Sequence, residues 1–466
     1  MITSLGINTV DPTVIDLVRD TERTDDDLVL SVIGCGYLGA VHAASMAALG
    51  HTVVGVDVDQ SKITALGQAR PPLYEPRLAD LLADGLGSGR LRFAGDPAAV
   101  RRATVHFLCV GTPQQPGGVA ADLRHLDAAV TALLPYLKSG DLVVGKSTVP
   151  VGTAARLRAR IQAVEPAAEL AWNPEFLREG HAVADTLAPD RLVYGVPGGP
   201  TGTAAADLLN RIYAKAVADG TPVIITDYAT AELTKAAANA FLATKISFIN
   251  AMADLCDATG GDVVQLADAL GHDRRIGRQF LGAGLGFGGG CLPKDIRAFL
   301  ARAEELGAGS SLGFLREVDA INLHRRARLV ELALDACGGL PAGRRIAVLG
   351  AAFKPGSDDI RDSPALDVAE RLASFGADVV ITDPRAVDRV AETRPQLRVT
   401  RSLDEAVRGA ELILLLTEWP EYVALNPVAL SKVVDRAVII DGRNALDPAR
   451  WRAAGWSYRG LGRAGS

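Results

Sequence analysis

The sequence predicts an α/β protein in which two doubly wound halves are joined by a long helix and a helical central domain. Three observations carry this expectation. From Leu28 the run LVLSVIG passes at once into GCGYLG, an Ala-rich helical stretch and the strand TVVGVDVD, which together make a βαβ unit. After GGLPAG, where Gly and Pro punctuate the chain, the pattern recurs as RRIAVLG, a loop, ALDVAERLASFG and ADVVITDP. Between the two lies DYATAELTKAAANAFLATKISFINAMADLCDATG, an alanine-rich helical block closed by Gly260-Gly261.

Taken in order, residues 1–27 are mostly polar, end in Asp25-Asp26-Asp27 and show only a weak helical pattern, so a disordered extension is expected. Residues 28–226 form the first expected domain, with further strands at VHFLCVG and DLVVGKSTV, each preceded by helix-like sequence as a parallel sheet requires. The central helical domain is set at 227–337 and carries DVVQLADAL and the glycine run GLGFGGGCLPKD. The last domain is set at 338–466. Both halves read strand, glycine, helix, strand, acid, and are therefore Rossmann-like.

The bulk numbers exclude several classes. A chain of 466 residues exceeds what one core serves, and 48% apolar with 22% charged residues is ordinary for a globular protein. The net charge of −6 comes without a basic block, so no nucleic-acid partner is expected. No apolar run is long enough to span a bilayer, and the N-terminus has no signal-peptide pattern; no membrane partner and a cytoplasmic location are expected. Five scattered cysteines suit free thiols in a reducing compartment, and seven histidines make no HxxxH or HExxH pattern, so no metal site is expected.

Gly34-Cys35-Gly36-Tyr37-Leu38-Gly39 is a GxGxxG between a strand and a helix, the place where backbone and helix N-terminus can meet a pyrophosphate. Asp57 closes the second strand, where a carboxylate can hydrogen-bond a ribose hydroxyl and repel a 2′-phosphate, which selects NAD over NADP. Lys62, just beyond, is a candidate at the adenosine ribose.

The chemistry points to Cys291. Sulfur attacks as the thiolate, and Lys294 beside it is expected to lower the thiol's pKa while Gly288, Gly289 and Gly290 let backbone approach a ligand. Lys235 and Asn239 are four apart on the long helix and share a face, with Glu232 a turn earlier. In AWNPEFLREG a strand ends at Asn173, and Glu175 and Glu179 are expected to be exposed beyond it. A thiol is not needed to oxidise an alcohol to a carbonyl; it is useful when an aldehyde goes on to an acid through a thioester. An NAD enzyme that oxidises one carbon twice is the reading these residues support.

GCGYLG, LYEP at 73–76, VGTP at 110–113, KSTVPVGT at 146–153, NPEFLREG, AELTKAAANAF, RRIGRQFL, GFGGGCLPKD, FKPGSDDIRDSP and DGRN at 441–444 occur in this order from Leu28 to about Gly460. In this the chain resembles the UDP-glucose 6-dehydrogenase family, among the nucleotide-sugar dehydrogenases. The resemblance implies NAD-dependent oxidation of UDP-glucose to UDP-glucuronate, a precursor for polysaccharide biosynthesis, by a homodimer or higher homo-oligomer paired through the long helix. It implies Cys291 as nucleophile, with Asp295, Lys235 and Asn239 polarising water and oxyanion. Glu175 becomes the acid-base group of thioester hydrolysis and Thr148 a holder of the catalytic water. Glu179, Arg361, Thr112, Thr148 and Lys294 are assigned to NAD, with the GxGxxG residues, Asp57 and Lys62.

The resemblance further assigns Phe176, Leu177, Arg178, Phe287 and Gly288 to the sugar nucleotide, along with Glu175, Lys235 and Asn239. Arg275, Lys354 and Arg443 are its basic contacts, Arg443 reaching in from a partner subunit. The last domain is then the UDP-binding one. Glycine at 290, where many members have serine, and Arg178, where a small residue is common, depart from the pattern. GDP-mannose and UDP-N-acetylhexosamines stay open as substrates, with Pro293-Lys294-Asp295 favouring UDP-glucose. A non-catalytic nucleotide-sugar sensor and a single-step hydroxyacid dehydrogenase are the alternatives of other kinds.

Overall fold

A computed structural model describes residues 28–463. The expected extension at 1–27 lies outside the described residues.

Two sheets organise the chain. The first holds β1 (Val29–Ile33), β2 (Thr52–Val56), β3 (Leu91–Ala94), β4 (Val105–Leu108), β5 (Leu142–Gly145), β6 (Glu169–Trp172), β7 (Leu192–Gly195) and β8 (Val223–Thr226). Their order is β3-β2-β1-β4-β5-β6-β7-β8, parallel except where β6 meets β7. The second holds β9 (Arg345–Leu349), β10 (Asp378–Thr382), β11 (Arg398–Thr400), β12 (Leu412–Leu415), β13 (Val438–Asp441) and β14 (Ser457–Gly460), ordered β11-β10-β9-β12-β13-β14. Each sheet thus reverses direction beside its first strand, opening a crevice at the strand C-termini. The expected α/β class with two Rossmann-like domains is borne out.

Burial explains these strands. β4, β5, β7 and β12 are buried along their whole length, as parallel strands covered by helices on both faces must be. Inside the first sheet Ser31 and Asp141 flank His106, at 2.8 and 3.3 Å, so three neighbouring strands share one buried polar chain.

The helix Tyr228–Thr259 runs 32 residues, about 48 Å at the α-helical rise. Asp227 caps its start by accepting from the Thr230 N–H at 2.8 Å, and Gly260 ends it in the left-handed region at φ 81°. It packs against the helices Leu292–Glu305 and Phe314–Ala336, and Ala240, Ala243, Phe287, Ile296, Leu315 and Val318 form the small core where all three meet the glycine run.

Candidate active site

The nucleotide end comes first. Its three glycines have three different causes. Gly34 stands at φ 89°, and a Cβ there would lie 2.6 Å from the Val110 side chain. At Gly39 a Cβ would fall 1.8 Å from the Gly34 carbonyl, so helix and strand pack too closely for any side chain. Gly36 meets nothing within 4 Å, and its φ of −68° suits any residue. Only a ligand approaching the backbone accounts for glycine there. The space in front is a cavity of about 360 Å³ lined by Gly34, Gly36, Asp57, Lys62, Val110 and Gly111 among others.

Asp57 Oδ2 accepts from the Cys35 N–H at 2.8 Å and pairs with Lys62 Nζ at 2.9 Å, while Oδ1 accepts only the Asp59 N–H at 3.0 Å. A carboxylate has about four lone-pair positions, so one remains for a ribose hydroxyl. The matching acid of the second sheet, Asp383, has none to spare: it takes the N–H groups of Ala351, Ala352, Arg385 and Ala386 and the Trp419 indole. The residues of the first half therefore fit NAD, and those of the second half lock their own loop. Tyr37 gives its hydroxyl to Glu75, and Leu38 packs into the first core.

The reactive end sits where the long helix, the glycine run and the last domain meet. Residues 283–289 are buried and Cys291 is exposed, at the N-terminus of the helix Leu292–Glu305. The other four cysteines are buried, and all five are free. Asn239 donates to Asp295 Oδ2 at 2.7 Å, and Lys294 holds the other oxygen of the same carboxylate. Lys235 is 5% exposed and pairs with Glu175 at 3.1 Å. Burial opposes the charge of Lys235, yet Glu175, Cys291 and Asp295 outweigh it and its pKa lies above the ordinary value; it is an ammonium. Thr112 donates to the Thr148 carbonyl at 2.7 Å, and both line a cavity of about 30 Å³ with Lys294 and Asp295, roomy enough for a water.

The expected lowering of the thiol's pKa is corrected. Although Cys291 is exposed, the protein packed around its thiol and the carboxylates of Asp295 and Glu175 push its pKa up to about 12, against the pull of Lys235 and Lys294. The thiol therefore keeps its proton at neutral pH.

The glycines of the run also have a different cause from the one expected. A Cβ at Gly288 would sit 2.3 Å from the Asp362 carbonyl, one at Gly289 2.8 Å from the Phe353 ring, and one at Gly290 2.3 Å from the Arg361 guanidinium. It is the last domain, pressing on the loop, that excludes side chains. Serine at 290 would displace Arg361.

Glu179 is buried rather than exposed, and Glu175 is half-buried. Glu179 accepts from Ser357 at 3.2 Å and pairs with Arg361 at 3.3 Å, which Asp359 also holds. Burial and Asp359 raise its pKa to about 7, against Arg361, Lys354 and Ser357. Lys354, half-buried beside Phe353, faces Glu179, Cys291 and Glu75; burial lowers its pKa. Phe176 lies under Arg191 at 3.8 Å and near Lys235, and Leu177 packs into the first core.

Three basic residues are engaged within this chain. Arg275 is on the outer surface, its side chain 89% exposed and forked onto Asp273. Arg178 turns away onto Asp185. Arg443 donates to the carbonyls of Leu416, Gly286 and Phe353 of its own chain at 2.7, 2.9 and 3.1 Å, and so braces the glycine run.

Sequence reasoning missed the residues that hold the loop. Asn322 accepts from the Phe287 N–H at 2.8 Å and donates to its carbonyl at 3.0 Å; Arg325 holds the Gly284 carbonyl; Arg326 holds Phe287 and Asp362. The i, i+3, i+4 spacing of three polar residues on a buried helical face was the available signal. Glu232 accepts the N–H groups of Gly152 and Ala154, both at 2.7 Å, and so pins the Thr148 loop to the long helix. Among the described residues no cluster of three or more His, Cys, Asp or Glu could hold a metal, and no helix is long and apolar enough to cross a membrane.

Three domains of the UDP-glucose/GDP-mannose dehydrogenase family match the chain: the NAD binding domain at 29–217, the central domain at 229–324 and the UDP binding domain at 347–448. The UDP-glucose 6-dehydrogenase TuaD of Bacillus subtilis is 40% identical over 439 residues, 93% of each chain. A UDP-glucose 6-dehydrogenase of Pseudomonas aeruginosa is 39% identical over 452 residues, covering 93% of this chain and 97% of that one. The solved UDP-glucose dehydrogenase of Pyrobaculum islandicum superposes with a TM-score of 0.84 at 37% identity, covering 97% of this chain and all of that one (100%). A UDP-D-ManNAc dehydrogenase of Pyrococcus horikoshii gives 0.82 at 28% identity over 94% of this chain and 100% of that one. With its dinucleotide crevice, its thiol and all three domains accounted for, the chain belongs to the UDP-glucose/GDP-mannose dehydrogenase family and is an NAD-dependent oxidoreductase.

Proposed function

We propose that the chain oxidises UDP-glucose twice at the sugar's sixth carbon, giving UDP-glucuronate. One observation carries this: an exposed thiol lies beside a buried ammonium, Lys235, and two carboxylates, Glu175 and Asp295. Relatives at 36–40% identity over 93% of the chain bear the name UDP-glucose 6-dehydrogenase.

NAD, when bound by the GxGxxG loop, Asp57 and Lys62, supplies a two-electron acceptor for each oxidation. The first turns the primary alcohol into an aldehyde, and the thiol is not needed for it. Cys291 then adds to the aldehyde: the S–C bond forms, the thiol proton leaves and the carbonyl oxygen becomes an oxyanion. Lys235 and Asn239 are the donors available to that oxygen. Because the thiol's pKa is near 12, proton removal must accompany attack, and Asp295 and Glu175 are the acceptors at hand. Loss of the second hydride leaves a thioester. Water, held by Thr148 and deprotonated toward Glu175, adds to it; the S–C bond breaks and the thiol is restored.

Glu179, Lys294 and Arg361 hold the cofactor on its reactive side, and Phe287 and Lys354 face the sugar nucleotide. A homo-oligomer is supported by Leu233, Phe241, Phe248 and Leu255, 40, 67, 47 and 56% exposed along one long helix. Five free thiols suit the reducing cytoplasm. The test is the yield of NADH per sugar consumed. Two per UDP-glucose supports the reading; one per sugar, or faster turnover of GDP-mannose or a UDP-N-acetylhexosamine, overturns it.

A further inference from the structure

One buried cation has no part in the chemistry so far. Lys146 follows β5, is 6% exposed, and has no carboxylate partner among the described residues. Its Nζ donates to Asn173 Oδ1 at 2.9 Å and to the Tyr213 hydroxyl at 3.2 Å, and that hydroxyl donates to Asn173 Oδ1 at 2.8 Å. An ammonium has three protons, so one is unspent.

Lys146, Asn173, Tyr213 and Glu175 line one cavity of about 40 Å³, and so does His42 from the helix after the GxGxxG. His42 is 1% exposed and its Nε2 has no partner among the described residues. Buried polar groups with unmet hydrogen bonds around a space of this size call for water, which needs about 10–15 Å³. Glu175 thus has a polar chamber behind it and the thiol in front.

We propose that Lys146 is a positioning residue for Glu175: through water shared with His42, it sets a second positive charge beside the Glu175 carboxylate and directs it at the thioester during hydrolysis. This rests on the reading of Glu175 as the hydrolytic base. The groups that face Glu175 are Lys235 from the long helix, Cys291 from the glycine run, Cys109 from the end of β4, and Lys146. Burial pushes Cys109 up to about 12, so it stays neutral. Asp185, Asp190 and Arg191 also line the chamber. Burial also brings Lys146 down to about 8, so its charge is present at neutral pH and lost above it. Two cations therefore act on Glu175, one on each side.

The test is Lys146→Met, which keeps the length of the side chain and removes the charge. Decay of the Cys291-bound sugar adduct is followed by rapid quench from pH 5 to 9. The acid limb of the decay rate is expected to move up by about half a unit or more, with KM for UDP-glucose and NAD within about twofold of wild type. A folded variant whose acid limb does not move overturns the assignment, whatever its rate, because a lysine that only fills space would not set that limb. Should Lys146→Met fail to fold, Lys146→Gln, which also removes the charge but keeps a polar end for the Asn173 and Tyr213 contacts, is read the same way. Wild-type stoichiometry separates the two failures: one NADH per sugar removes the hydrolytic reading itself, whereas two NADH with an unmoved limb removes only Lys146.

Discussion

At Gly36 and Gly288 the same residue type serves opposite ends, and two alanine substitutions separate them. Gly36→Ala adds a methyl to open space in an ordinary conformation, so melting temperature is expected to hold while the Kd for NAD, read by calorimetry, rises tenfold or more, by about 1.4 kcal/mol or more. Gly288→Ala forces a methyl against backbone at 2.3 Å, so thermal stability and turnover should fall together. An unchanged Kd in the first variant removes the crevice as the NAD site. Cys291→Ala should cut double oxidation by about 10³-fold or more while UDP-glucose still binds; near-normal turnover would point to a single-step dehydrogenase.

At the scale of elements, two helices do the positioning. The helix Phe314–Ala336 holds the loop by its backbone, with Asn322 acting as a paired donor and acceptor on Phe287. Asn322→Ala leaves the buried Phe287 N–H unmet and its carbonyl with Arg326 alone, at a cost of about 1–3 kcal/mol, and is expected to lower melting temperature and kcat more than KM. The long helix shows a second, outward face. Phe241, Phe248 and Leu255 recur every seven residues, the spacing of a helix-pairing seam. Phe248→Glu should shift the mass measured by light scattering to a monomer; an unchanged mass locates the contact elsewhere. This periodic stripe could be read in the sequence, as could the shared face of Lys235 and Asn239, because helical spacing is local. What could not be read is which partner each face meets. Local spacing does not show that the last domain presses on the loop glycines, nor that the loop of Arg275 carries its side chain to the surface of this chain.

Across the whole molecule, the first and last domains are tied by side chains that cross between them. Tyr74 N–H and Arg389 share Asp358, and Glu179 meets Ser357 and Arg361. Glu179 also makes this junction pH-dependent. Its pKa is raised to about 7, so its contribution to stability is full below the unfolded value, about 4.5, and is lost as pH rises through about 7. Glu179→Gln should therefore shrink the fall in melting temperature between pH 6 and pH 8; an undiminished fall assigns that dependence to other groups. The double Rossmann-like plan was legible because strand, glycine, helix and acid follow one another along the chain. The buried state of Glu179 and the chamber at Lys146 were not, since both are made by segments far apart in sequence. Lys146 did leave a trace, a lysine directly after an apolar strand at the end where such sheets bind ligands.

The central claim is a covalent bond between Cys291 and the oxidised carbon of the sugar. It is tested most directly by mass spectrometry of a Glu175→Gln variant quenched during turnover with UDP-glucose and NAD. A UDP-glucuronyl adduct on the peptide bearing Cys291 is the expected result. A peptide that stays unmodified while NADH accumulates at two per sugar would contradict the role assigned to the thiol.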